Sequence, residues 1–97
     1  MTALDKLKKE LNSLKPHLAE KFKVKALGIF GSFVRNQQKS QSDIDILVEF
    51  SEPVGFFEFL ELEEYLEKTL KRKVDLVTRN ALKPAIGRHI LEELIAV

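Results

Sequence analysis

The chain has 97 residues, 44% hydrophobic and 32% charged, with a formal net charge of +1. That balance suits one globular core over residues 1–97 rather than a disordered chain, and it lacks the positive excess of a dedicated nucleic-acid binder. The absence of cysteine excludes a disulfide framework and a Cys-ligated zinc site. No apolar run approaches the ~18 residues that span a bilayer, and the Lys-rich start has no signal-peptide core. A cytoplasmic protein with no membrane association is expected. His17 and His89 stand alone and read as surface or interface residues.

Leu4, Leu7, Leu11, Leu14 and Leu18 recur every three or four residues, the stripe of an amphipathic helix. Thr2 can cap its start, and Pro16 is predicted to break it or to open a second short helix ending near Lys21. Residues 24–30 form the first strand, stopped by Gly31; residues 32–35 make a short helical turn, and residues 36–42 a polar loop. Residues 43–50 form the second strand, with Ile44, Ile46, Val48 and Phe50 on one face and Asp43, Asp45 and Glu49 on the other. After a loop at 51–55, residues 56–70 read as a helix with the inner stripe Phe56, Phe59, Leu60, Leu66 and Leu70. Phe57, Leu62 and Tyr65 widen its apolar surface, which suits either a partner or a broad core stripe. Residues 74–78 are a third strand, 82–84 a turn, and 86–95 a last short helix.

The residue types that carry chemistry sit at strand ends. Gly31 lets backbone approach a ligand closely, and N–H groups opening the next helical turn suit a phosphate, with the Ser32 hydroxyl as a further donor. Gly-Ser after a strand is a common turn; its spacing of ten residues to Asp43-Ile44-Asp45 sets it apart. Two acids at alternate strand positions share a face with Cα atoms roughly 6.6 Å apart. At that distance like charges repel by ~3 kcal/mol in an effective dielectric near 20. A divalent cation is the usual remedy, and hard carboxylate oxygens suit Mg²⁺. Asp75, between Val74 and Leu76, looks buried and reads either as an ion pair to Arg72 or Lys73 or as a third acid of the same site, placed to act as general base. Arg35 and Arg79 are candidate triphosphate or partner contacts, though each also suits a plain surface.

If Gly31-Ser32 meets Asp43 and Asp45, the first two strands run antiparallel. If Asp75 joins them, strands two and three run parallel, and the 56–70 helix is the crossover such a pair needs. The predicted fold is α+β: a three-stranded mixed sheet in order 1-2-3, helices on one face, carboxylates on the other.

Together these residues resemble the minimal nucleotidyltransferases of the DNA polymerase β-like superfamily. The family motif, Gly-Ser, about ten residues, then Asp-x-Asp, stands here as Gly31-Ser32 and Asp43-Ile44-Asp45. Lys73-Val74-Asp75-Leu76-Val77 occupies the place of the third acid, and residues 81–84 through 90–92 look like the end of such a domain. Asn36 stands where the family often has Gly and tolerates the left-handed backbone better than most residues.

The resemblance implies the nucleotidyltransferase fold and ATP- and Mg²⁺-dependent nucleotidyl transfer. Gly31, Ser32 and Arg35 would bind the nucleotide, while Asp43, Asp45 and Asp75 would be catalytic and would hold metal, with two ions expected. It also implies a partner: free-standing members of this size resemble antitoxins that place AMP on a tyrosine of a HEPN-type ribonuclease toxin, in a hetero-oligomer. Two function classes are open, an adenylyl-transferring enzyme and an antitoxin that inhibits by contact alone. A nucleic-acid-binding regulator is disfavoured by the balanced charge.

Overall fold

The computed structural model describes residues 2–35, 43–79 and 84–97, with the backbone alone for Ser32 and residues 84–86. The predicted loop at 36–42, Asn36 within it, and the turn at 82–84 up to Lys83 lie outside the described residues.

Helix α1 (Ala3–Phe22) begins with a reciprocal cap: Asp5 N–H donates to Thr2 Oγ1 at 3.1 Å, and Thr2 N–H donates to Asp5 Oδ2 at 3.3 Å. It ends where Lys23 turns left-handed at φ 60°. Pro16 neither breaks the helix nor starts another, contrary to the sequence expectation. An internal proline costs ~3 kcal/mol, but Leu7, Leu11, Leu18 and Phe22 are all buried on one continuous stripe. Burying one such side chain is worth about 1.5–3 kcal/mol. A break at Pro16 would lift both Leu18 and Phe22 off the core, so continuity wins.

Strands β1 (Val24–Phe30), β2 (Ile44–Phe50), β3 (Val74–Thr78) and β4 (Ile95–Ala96) form one sheet in the order β3-β2-β1-β4. As predicted, β1 and β2 are antiparallel and β2 and β3 parallel. Among the described residues the sheet has four strands, not three: helix α3 spans Pro84–Glu93, and the two residues after Leu94 pair antiparallel with β1. A two-residue strand carries no alternation for sequence reasoning to detect. Its evidence is the partner, with Gly28 opposite Ala96 and Ile29 opposite Ile95.

Helix α2 (Phe56–Leu70) is the crossover. Its start is held by Gly55 N–H donating to Glu58 Oε2 at 3.1 Å, and it ends at left-handed Lys71. The buried face is rotated from the predicted one. Leu62 and Leu66 are wholly buried with Phe59, Tyr65 and Leu70 packed partly in, whereas Phe56, Phe57 and Leu60 are exposed. Residues 59, 62, 66 and 70 make one ridge, and Phe56, the first residue of the helix, stays exposed. Tyr65 is held by ring contacts to Phe22 at 5.5 Å and His17 at 5.3 Å, so it joins the two helices.

The core lies between these helices and the sheet face carrying Ile29, Ile44, Ile46, Val48, Val74 and Leu76. The opposite face carries Asp45 and Asp75. On that face Gly28 leaves room for Leu94, whose side chain fills the space a β-carbon would need.

Candidate active site

Alternation along β2 sends Ile44, Ile46 and Val48 inward and turns Asp45 outward. The parallel register then sets Asp45 directly beside Asp75, with Ile44 beside Val74 and Ile46 beside Leu76. Ile44 N–H donates to Lys73 O at 2.9 Å, which locks the two strand starts together. Strands in a sheet lie ~4.8 Å apart, so the two acids meet on its surface. Asp45 is half-buried; Asp43 and Asp75 are exposed. The buried setting expected for Asp75 is therefore not found. Val74 and Leu76 supply the burial, and Asp75 points the other way on an end strand of the sheet.

Burial pushes the Asp45 carboxyl up from its usual 3.8 to about 6. Repulsion from Asp75, then from Asp43, adds to the effect, Arg35 opposes it, and a hydrogen bond between Asp45 and Asp75 favours the protonated form. Asp75 and Asp43 thus both bear on Asp45, which is the condition a cation would relieve.

Gly31 stands immediately after Phe30, which pairs with Asp45 across β1 and β2. Its φ is +79°, a left-handed backbone that suits glycine, and a β-carbon there would collide with the Asp45 carboxylate. The backbone therefore passes directly over the acid. Gly31 opens a 3-10 turn through Phe33, and its carbonyl accepts from Val34 N–H at 3.1 Å and Arg35 N–H at 3.2 Å. That turn brings Arg35 back toward the acids. Ser32 lies in the same turn by its backbone, and its side chain is outside the described residues.

Arg79, the other candidate arginine, is not part of this group. It lies four residues beyond Asp75, roughly 13 Å along an extended chain, with its Nη1 3.9 Å from Glu49. Sequence reasoning missed Glu93. This last residue of α3 accepts from Gly31 N–H at 3.1 Å through Oε1 and from Arg35 Nη1 at 3.2 and 3.1 Å through its two oxygens. Nothing in the sequence marks one glutamate of α3 over another; the contact spans 58 and 62 residues.

Among the described residues no three side chains are gathered tightly enough to cage an ion by themselves. What the structure offers is two carboxyls side by side in the register, a third on the residue just before β2, and hard oxygen donors throughout. That set fits Mg²⁺, which keeps its waters and is held by one or two carboxylates plus substrate phosphates rather than by a protein cage.

Residues 4–97 match the family model described as a nucleotidyltransferase domain. The chain belongs to the nucleotidyltransferase family. It is 43% identical over 97 residues to the protein adenylyltransferase MntA of Thermococcus cleftensis, covering 100% of this chain and 98% of that one. A solved structure described as a candidate minimal nucleotidyltransferase superposes with a TM-score of 0.83 at 27% identity, over 99% of this chain and 97% of the other. The fold also matches a complex of a tri-AMPylated Shewanella oneidensis HEPN toxin with its MNT antitoxin: TM-score 0.68, 21% identity, 92% of this chain and 69% of that one. The chain is thus a nucleotidyltransferase by descent as well as by fold. No helix among its described residues is long and apolar enough to cross a membrane.

Proposed function

We propose that this nucleotidyltransferase moves AMP from ATP to a hydroxyl of a partner protein, a tyrosine of a HEPN-type toxin, and thereby acts as the toxin's antitoxin. The observation that carries the reading is the pairing of Asp45 with Asp75 beside the Gly31 turn. Kinship with MntA over the full length supports adenylyl transfer to a protein, and the HEPN partner is drawn from the fold shared with that toxin's antitoxin.

In this reading the acceptor oxygen attacks the α-phosphorus of ATP. The bond to the bridging oxygen breaks, and pyrophosphate leaves with that electron pair. Asp75, exposed at the start of β3, accepts the hydroxyl proton. The Gly31-Ser32 turn and Arg35 hold the triphosphate. Asp43, Asp45 and Asp75 would hold Mg²⁺, two ions by family resemblance, and the metal would supply charge neutralisation at the phosphates. The enzyme and toxin form a hetero-oligomer in the cytoplasm.

The contact-only alternative draws on exposed Phe56, Phe57 and Leu60, an apolar patch near the start of α2 that suits a protein surface. One experiment separates the two. The chain is incubated with its co-purifying partner, ATP and Mg²⁺, and the partner is weighed by mass spectrometry. Addition of one or more AMP units is expected; an unchanged mass with the partner still inhibited leaves contact alone.

A further inference from the structure

Glu93 is the acid the proposed reaction does not use. Its side chain is only 18% exposed, against 48% for Arg35. Both carboxylate oxygens are engaged, and both partners, Gly31 N–H and the Arg35 guanidinium, belong to the proposed triphosphate cradle. The next two residues of the chain fix the position of Glu93: Leu94 packs on Gly28, and Ile95 pairs with Ile29. The C-terminal pairing therefore places a carboxylate behind the turn that carries the motif.

Two acidic neighbourhoods among the described residues bear on Arg35. One is Glu93. The other is the aspartate group, near enough for Arg35 to bear on Asp45. A guanidinium drawn onto the aspartates would compete with the cation for their oxygens and would leave the phosphates without a counter-charge.

We propose that Glu93 is a positioning residue, which holds Arg35 and the Gly31 N–H at the cradle and keeps the guanidinium off Asp45. This rests on the nucleotidyl-transfer reading. It has a sharp opposite: a carboxylate that merely fills the phosphate seat would have to be displaced, and its loss would tighten nucleotide binding.

The test uses the full chain, Mg²⁺ and a non-hydrolysable ATP analogue in titration calorimetry. Glu93→Gln keeps the shape and removes the charge. It is expected to weaken analogue binding about tenfold, the scale of one charge-assisted hydrogen bond, with a larger change in KM for ATP than in kcat. In an Arg35→Ala background most of that loss should vanish, because the group being positioned is gone. Unchanged or tighter binding by Glu93→Gln, or a full loss that persists in Arg35→Ala, overturns the proposal. Should Glu93→Gln fail to fold, the Arg35→Ala/Glu93→Gln double variant, with neither charge stranded, is compared with Arg35→Ala. Equal affinity supports positioning, and a further drop overturns it. Wild-type chain that binds no analogue at all would instead remove the nucleotidyl-transfer reading beneath it.

Discussion

Asp45 and Asp75 stand directly opposite one another across the parallel pair β2 and β3, and repulsion from Asp75 adds to the burial that raises the Asp45 carboxyl. The contact is unfavourable for the ionised pair and is kept in place by Ile44, Val74, Ile46 and Leu76, which anchor the same register from the core side.

Stability should therefore vary with pH in a definite sense. The Asp45 carboxyl rises from 3.8 to about 6 on folding, so the native state holds more protons than the unfolded chain across that interval. Its contribution is fully present below the unfolded value and is lost as pH rises through about 6. Asp45→Asn should match the wild type below pH 3.8 and exceed it above the folded value, by on the order of 1 kcal/mol or less because the group is partly solvated. Thermal melts across that range check it, and a gap that opens toward acid has the wrong sign. Added Mg²⁺ should stabilise the wild type above the folded value more than midway between the two.

Catalysis should depend on the same acids without the fold doing so. Asp43→Asn and Asp45→Asn should each abolish AMP transfer while circular dichroism stays native, since neither side chain is in the core. Asp75→Asn should lower the rate by about 10²–10⁴-fold, the range for a lost general base. Radiolabel transfer from ATP measures all three. Transfer retained by the Asp43→Asn/Asp45→Asn double variant would exclude this site.

Gly31→Ala should destabilise the chain by about 2 kcal/mol or more in urea denaturation. The left-handed backbone alone costs roughly 1–2 kcal/mol for a residue with a β-carbon, and collision with Asp45 adds to it. Repeating the substitution in an Asp45→Ala background should return the collision part and leave the backbone part.

Pro16→Ala should raise stability by about 1–3 kcal/mol, because it restores the hydrogen bond missing from the middle of α1. Loss of proline also frees the unfolded chain, which trims the gain by ~0.4–1 kcal/mol. A variant less stable than the wild type in urea would contradict a continuous α1.

Much of this was legible from the residues. The alternation around Asp43 and Asp45 marked one face, and bringing Asp75 to the same site required β2 and β3 to be parallel, with the 56–70 helix as the crossover. The departures share a cause. Pro16, the rotation of α2 and the exposure of Asp75 were decided by which side chains met the sheet, and local pattern does not record that. Leu62 has no sequence feature that ranks it above Leu60 until Leu66 and the sheet are in place. Glu93 and β4 depend on partners some sixty residues away, so only the assembled fold discloses them.

The crossover has a kinetic corollary. Asp75 follows Asp45 by 30 positions, with one whole helix between them, so the acid pair forms only once the β2–β3 connection that carries α2 has closed. Parallel pairing of this kind closes a long loop before it gains contacts and forms slowly. Catalytic competence should hence arrive among the last events of refolding, and substitutions that unseat Leu62 or Leu66 should silence the enzyme while α1 is still intact.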